Sequence, residues 1–126
     1  MTAQELSTLL GRDLNPIIFL LNNDGYTIER LIYGAESSYN DLNPWRYGRF
    51  PAVVDVRERT LTHCVRNRAE LDLALEAASD TGRPHLIEIM LPRMDAPEPL
   101  VRFAGRVAEF DFPQLLEEQV DQVSRS

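Results

Sequence analysis

A single cysteine, Cys64, is all the thiol this 126-residue chain carries. That excludes an intrachain disulfide and, with it, the disulfide scaffold of small secreted domains. The amino terminus, MTAQELSTLL, has neither the basic start nor the apolar run of a signal peptide. No apolar stretch approaches the ~20 residues that a membrane helix needs. A soluble, cytoplasmic protein with no membrane partner is expected. Thirteen basic and twenty acidic side chains leave a net charge of −7. Phosphate-backbone binding rests on clustered Lys and Arg, so no nucleic-acid partner is expected. An anionic cofactor stays open, because a bound divalent cation reverses the local sign. Familiar catalytic signatures are also missing: there is no zinc-ligand spacing, no Walker-type phosphate loop and no Gly-x-Ser-x-Gly elbow. His63 and His85 sit in no His/Cys/Asp cluster and Cys64 has no evident base partner, so both histidines are read as structural.

What is present is a globular pattern. Hydrophobic residues make up 44% and charged residues 26%, ordinary values for a folded domain. A chain of this length buries roughly two-thirds of its unfolded surface. Thr2-Ala-Gln-Glu5 has the capping-box spacing, and Leu6, Leu9 and Leu10 form a stripe behind it, which predicts a helix over Ala3–Gly11. Pro16 prevents its continuation and opens the apolar run Ile17–Leu21. That run does not alternate, so a parallel strand covered on both faces is expected. A helix over Tyr26–Tyr33 follows, closed by Gly34. Residues 35–49 read as loop. Pro51–Val56 fits a short helix or a strand, and periodicity does not decide between them. Leu61–Val65 reads as a strand, Arg68–Ala78 as a helix and His85–Leu91 as a second central strand stopped by Pro92. The tail from Met94 is Pro-rich at first, then weakly amphipathic near Phe112–Val123. Helices alternating with apolar strands predict an α/β fold with a parallel, doubly wound sheet. Ile17–Leu21, Leu61–Val65 and Leu86–Leu91 are expected as parallel neighbours, with the helices Ala3–Gly11 and Arg68–Ala78 on the sheet faces.

The informative segment is Asn22-Asn-Asp-Gly-Tyr-Thr-Ile-Glu-Arg-Leu-Ile-Tyr-Gly34. Asn and Asp tolerate left-handed backbone and Gly adopts positive φ freely, so Asn-Asp-Gly by itself marks a turn. A hairpin would need an alternating second strand, and Tyr26–Tyr33 has helical spacing instead. A tight polar turn between strand and helix is where open α/β sheets gather charged ligands.

LLNNDGYTIERLIYG, then YNDLNPW, then HLIEIMLPRMDAP resemble the C-terminal part of thiamine-diphosphate-dependent 2-oxo acid decarboxylases, the pyruvate, indolepyruvate and phenylpyruvate decarboxylase group. The resemblance runs from about Thr2 to Pro97. It implies a partial diphosphate-binding domain over residues 1–93, with 94–126 as a C-terminal tail containing a helix. The family's bipartite motif opens with Gly-Asp-Gly and closes with Asn-Asn, here Asn22-Asn23. By that match Asn23 would give its side-chain oxygen, and Gly25 its backbone carbonyl, to Mg2+, an ion that favours octahedral oxygen ligation. Tyr26 and Ile28 would border the thiamine diphosphate. Glu29 would serve the proton transfers around decarboxylation, a role suited to a partly buried carboxyl. Taken alone, Glu29 is also a solvated glutamate in the first turn of a helix. Ile28 and Ile32 match positions that line the substrate pocket, and they fit the core of a short helix equally well. Tyr33 departs from the family, where histidine is frequent before the glycine.

The opening Gly-Asp-Gly, whose aspartate is a metal ligand, would fall just before Met1. The chain is therefore expected to be a C-terminal piece of a larger, homo-oligomeric enzyme acting on a small 2-oxo acid. Decarboxylation would be the cofactor's chemistry, with the protein supplying orientation and proton transfer. Alone, the piece is expected to be inactive and to self-associate along an uncovered sheet edge. The other reading is a non-catalytic α/β module that keeps the fold for oligomerisation or binding.

Overall fold

Three apolar runs pair as one parallel sheet. In the computed structural model, which describes residues 3–80 and 82–111, they are β1 (Ile17–Asn22), β2 (Leu61–Val65) and β3 (His85–Met90). Their order is β1-β3-β2, with β3 central. Ile17, His85 and Leu61 share one register level, and Ile18, Leu86 and Thr62 the next. The helices are α1 (Glu5–Gly11), α2 (Thr27–Tyr33), α3 (Phe50–Val54), α4 (Arg68–Asp80) and α5 (Glu98–Asp111).

The chain divides into two compact units, Met1–Asn22 with Asn43–Leu91, and Asn23–Leu42 with Pro92–Ser126. The first holds the sheet. Side chains alternate across a strand, so His85, Ile87 and Ile89 face one side, and Leu86 and Glu88 the other. On the first side α4 packs against β2 and β3, burying Val65, Ala74, Ala78 and Ile87 with Leu71 and Ile89 against them. A fully buried Ile such as Ile87 contributes roughly 1.5–3 kcal/mol. The opposite face, with Ile18, Leu20 and Leu86, lines an apolar cavity of about 360 Å³ together with Leu6 and Leu9 of α1 and with Trp45, Tyr47 and Phe50.

Local chemistry accounts for the helix boundaries. Glu70 accepts from the amide of Arg66 at 2.7 Å and the side chain of Asn67 at 2.7 Å, while its own amide donates to Asn67 Oδ1 at 3.0 Å. This reciprocal arrangement, a close variant of the capping box, starts α4. Pro51 stands in the first turn of α3, where its missing N–H costs nothing, and the undecided stretch Pro51–Val56 is thereby a helix as far as Val54. The helix placed at Ala3 begins at Glu5, with Gln4 as a cap that makes no side-chain bond.

Two expectations are corrected. β1 is not covered on both faces: it is an edge strand, and Ile17, Phe19 and Leu21 are 44, 50 and 66% exposed. Strand β3 is the one whose burial runs across both faces. The tail is not merely Pro-rich after Met94, since α5 occupies Glu98–Asp111 and packs on α2 within the second unit. Pro97 immediately precedes it and Pro99 lies in its first turn, the one place where a helix accepts proline readily. The helix expected near Phe112–Val123 lies outside the described residues.

His63 and His85 form a pair on the sheet, with rings stacked at 5.2 Å and Nε2 3.0 Å from the neighbouring Nδ1. His85 is fully buried. Burial, with smaller contributions from His63 and Arg83, pushes its pKa down. No helix among the described residues is long and apolar enough to cross a membrane.

Candidate functional site

The segment Asn23–Tyr33 lies wholly in the second unit, together with the loop to Leu42 and the stretch from Pro92. Its backbone turns through two left-handed residues, Asp24 at φ +55° and Gly25 at φ +145°. Asp is among the few residues that adopt such a conformation at modest cost, and the second position requires glycine. It also requires it by volume. A Cβ on Gly25 would stand 2.6 Å from the Asn40 carbonyl oxygen and 2.8 Å from a guanidinium nitrogen of Arg30.

Those two neighbours form a clamp. Arg30, on α2, is almost fully buried, and it donates to the carbonyl of Ala35 at 2.7 Å, the carbonyl of Asn40 at 3.2 Å and the Asp41 carboxylate at 2.5 Å. The amide of Tyr26 donates to the same Asn40 carbonyl at 3.3 Å. Asn40 is itself fully buried. A planar guanidinium that holds three acceptors fixes a loop as a lysine cannot. Hydrogen bonding to Arg30 holds the Asp41 carboxyl below its ordinary value against the opposing effect of desolvation, with smaller charge contributions from Arg30 and Arg93.

On its other side the turn is tied to Arg93. Thr27 donates its hydroxyl to the Arg93 carbonyl at 2.9 Å, and the side-chain nitrogen of Asn23 donates to Thr27 Oγ1 at 2.6 Å. The Arg93 guanidinium meets Asp24 at 2.5 Å and Asp41 at 3.8 Å. The Asp24 carboxylate accordingly raises the pKa of Arg93. Both partners of the Arg93–Asp24 pair are about half exposed, so it contributes little to stability and serves chiefly to set geometry.

The residues singled out from sequence therefore lie on one short segment. Asn23 and Gly25 are in the turn, and Ile28, Glu29 and Ile32 are half-buried along α2, with Tyr26 half exposed. No hydrogen bond or ion pair engages the Glu29 carboxylate among the described residues. An uncommitted, half-buried carboxyl is available for proton transfer in a way that a salt-bridged one is not. Ile28 and Ile32 belong to a helix that packs on α5, so the packing role and the pocket role both fit their partial burial. Asn22, the other half of the Asn-Asn pair, belongs to the first unit, where its side chain donates to Glu88 at 2.7 Å. Among the described residues no three His, Cys, Asp or Glu side chains converge to hold a metal by themselves.

Sequence reasoning missed Thr27, Arg30, Asn40, Asp41 and Arg93. An arginine between Glu29 and Leu31 looks like a solvated helix position, and nothing in its spacing reveals that backbone carbonyls will surround it. The only available signal was Asn40-Asp41, a pair of polar turn residues following a short helix.

Residues 1–89 match the family described as thiamine pyrophosphate enzyme, C-terminal TPP binding domain. The chain is 45% identical over 107 residues to a pyruvate decarboxylase of Aspergillus parasiticus, covering 80% of this chain and 18% of that protein. It is 42% identical over 102 residues to an alpha-keto-acid decarboxylase of Mycolicibacterium paratuberculosis, again covering 80% and 18%. A putative pyruvate decarboxylase of Schizosaccharomyces pombe is 37% identical over 108 residues, covering 82% of this chain and 19% of the relative. The chain thus spans about a fifth of the length of the curated relatives that it matches.

Proposed function

The chain belongs to the thiamine pyrophosphate enzymes through their C-terminal TPP-binding domain, and from this premise we propose that it is the metal-loop and carboxy-terminal portion of a cytoplasmic decarboxylase of 2-oxo acids. The enzyme would use Mg2+ and thiamine diphosphate to release an aldehyde and CO2 from a pyruvate-like acid. The observation that carries the reading is the turn at Gly25, where left-handed backbone and the absence of room for a Cβ bring main chain to a place no side chain can occupy.

The donors fit a hard cation. Asn23 offers an amide oxygen and Gly25 a backbone carbonyl, and Mg2+ takes such oxygen ligands together with phosphate oxygens and water. Neither donor is charged, so the negative charge of the shell would come from the diphosphate oxygens and from a further carboxylate. Thiamine diphosphate, when bound, supplies the electron sink that accepts the charge left behind by CO2. The work left to this chain is to hold the cation through Asn23 and Gly25, to border the cofactor with Tyr26 and Ile28, to shape the substrate pocket with Ile28 and Ile32, and to move a proton at the Glu29 carboxyl. The Glu29 carboxyl would hold a proton beside the reacting carbon and, once ionised, could accept one back, the acid–base work that such a group supplies.

Calorimetry with Mg2+ and thiamine diphosphate, followed by turnover of pyruvate and phenylpyruvate, is the test. The isolated 126 residues bind the pair weakly and do not turn over. The same residues within a full-length decarboxylase do, and Glu29→Gln there keeps cofactor binding while losing most of the rate, about the 10²–10⁴-fold that acid–base catalysis contributes. Tight cofactor binding or turnover by the isolated chain would refute the need for the remaining segments. Unchanged turnover by Glu29→Gln would remove that residue from the mechanism. Full-length protein without turnover on any 2-oxo acid would favour a non-catalytic module. The exposed apolar edge of β1 supports self-association of the chain along that strand, which sedimentation equilibrium would reveal as a concentration-dependent mass.

A further inference from the structure

We propose that Thr27 is a positioning residue, which fixes the Asn23 side-chain amide so that its carbonyl oxygen, and not its NH2 group, is left to face a cation. The inference rests on the metal reading of Asn23 and supplies the device behind it.

The polarity of the contact follows from a chain of three groups. The backbone carbonyl of Arg93 can only accept, and Thr27 Oγ1 lies 2.9 Å from it, so the hydroxyl proton is committed there. Thr27 Oγ1 then has only lone pairs to offer. The Asn23 side chain approaches it at 2.6 Å and must bring its NH2 group. The opposite amide orientation would set two acceptor oxygens against each other with no proton between them. An asparagine amide has two nearly isosteric ends, and here one main-chain carbonyl, relayed through one hydroxyl, selects between them. Asn23 Oδ1 is then left without a donor among the described residues. A hard cation binds oxygen and never an amide NH2, so the selection decides whether Asn23 can be a ligand at all.

The relay is held at both ends. Thr27 is 6% exposed, which keeps water from competing for its hydroxyl. Arg93 is fixed on the same turn twice, by its carbonyl through Thr27 and by its guanidinium through Asp24 at 2.5 Å. The turn from Pro92 to Asp95, closed by the Asp95 amide on the Pro92 carbonyl at 3.0 Å, presents that carbonyl. Valine in place of Thr27 would keep the shape and break the relay, because a methyl group neither donates nor accepts.

The test uses the 126-residue chain, labelled with 15N, as wild type, Thr27→Val and Thr27→Ser. Two readouts separate the positioning from the metal role. The first needs no metal. The Asn23 Nδ2 protons exchange with solvent about tenfold more slowly than those of the exposed Asn43, the effect of one net hydrogen bond. That protection is lost in Thr27→Val and kept in Thr27→Ser. The second is a titration with Mn2+, a paramagnetic stand-in for Mg2+, which broadens the Asn23 side-chain signals before those of Asn43 in wild type and Thr27→Ser but not in Thr27→Val. Unprotected Nδ2 protons in the wild-type chain overturn the positioning, whether or not either variant folds. Protection without any Mn2+ broadening at Asn23, with Mn2+ raised to the millimolar range in which the weak binding expected of the isolated chain is populated, overturns the metal role instead. Broadening retained in a folded Thr27→Val chain overturns the link between the two.

Discussion

The two units of this chain are held by different physics. In Met1–Asn22 with Asn43–Leu91 the centre is aliphatic: Val65, Ala74, Ala78 and Ile87 interlock between α4 and the sheet. In Asn23–Leu42 with the residues from Pro92, the buried side chains include Thr27, Arg30 and Asn40, joined by Ala104 of α5. Apolar packing is non-directional and tolerates small shifts, so it suits a framework. Hydrogen bonds have narrow geometry and are costly to leave unmade, so a polar interior specifies position more sharply than it adds stability. The segment that carries Asn23, Gly25 and Glu29 has the polar interior. The cation-holding role proposed for that segment would need sharpness of position more than strength.

The largest effect should come from the aliphatic side. Ile87→Ala leaves a cavity at the centre of the sheet, at a position with no exposure. It should cost about 3–4 kcal/mol, read as a lowered urea midpoint and as faster hydrogen exchange along β2 and β3. A loss under about 1 kcal/mol would mean that the sheet can collapse around the gap and that its packing is looser than the burial of Ile87 implies. On the polar side, Arg30→Met keeps the length of the side chain and removes its donors. The carbonyls of Ala35 and Asn40 and the carboxylate of Asp41 lose their partner. The cost should be about 2–3 kcal/mol, felt as faster exchange over residues 34–42. The same variant should let the Asp41 carboxyl rise toward its ordinary 3.8, because the bond to Arg30 is the main cause of its lowering. Arg30→Lys should recover only part of the loss. Full recovery would show that charge, not the fork, holds the loop.

A smaller effect reads, by pH, two buried polar groups that the first unit carries beside its aliphatic centre, His85 and Asp55. The buried His85 has a pKa below its ordinary 6.5, chiefly through burial. Above 6.5 folded and unfolded chains are both neutral at this group and its full stability is present. As pH falls below 6.5 the unfolded chain takes the proton first, and stability declines until the folded pKa is passed. Asp55 acts later: the bonds from Thr60, at 2.7 Å from its amide and 2.6 Å from its hydroxyl, lower its carboxyl from 3.8, so its contribution is lost only as pH falls below that value. Urea midpoints at pH 7.5 and 5.0 should therefore fall in wild type and fall less in His85→Leu. An equal fall in both would place the sensitivity elsewhere.

What the sequence disclosed follows the same division. Apolar runs announce strands, so β1, β2 and β3 were legible to within a residue, as was their parallel pairing. The turn at Asp24-Gly25 was legible because so few residues tolerate its backbone. The exposure of β1 was not, since a run of Ile, Phe and Leu looks the same whether or not its neighbours are present. Helix α5 was hidden by Pro97 and Pro99, which punctuate a loop and open a helix equally well. The polar clamp was invisible for a deeper reason. Arg30 finds partners in the main-chain carbonyls of Ala35 and Asn40, and Thr27 in that of Arg93. A backbone carbonyl has no letter in a sequence. Resemblance located Asn23, Gly25 and Glu29, and only the folded chain could disclose what holds them.

The smallest effect on folding is expected at the residue proposed to matter most for chemistry. Glu29 is half-buried and its carboxylate engages no partner among the described residues. Replacing it by Gln keeps the shape, removes a charge that engages no partner among the described residues, and leaves no buried partner unsatisfied. Stability should change by no more than about 0.5 kcal/mol, because the interaction lost with the α2 N-terminus and the easier desolvation of the amide oppose each other. Arg30→Met and Glu29→Gln thus form a pair on one short helix: the first should disturb the loop, and the second should disturb only what happens in it. Urea denaturation of the two variants beside wild type decides between these outcomes. A loss above about 1 kcal/mol in Glu29→Gln would show that the carboxylate belongs to the clamp. It would then be a structural group, and its candidacy for proton transfer would lose the argument drawn from its freedom.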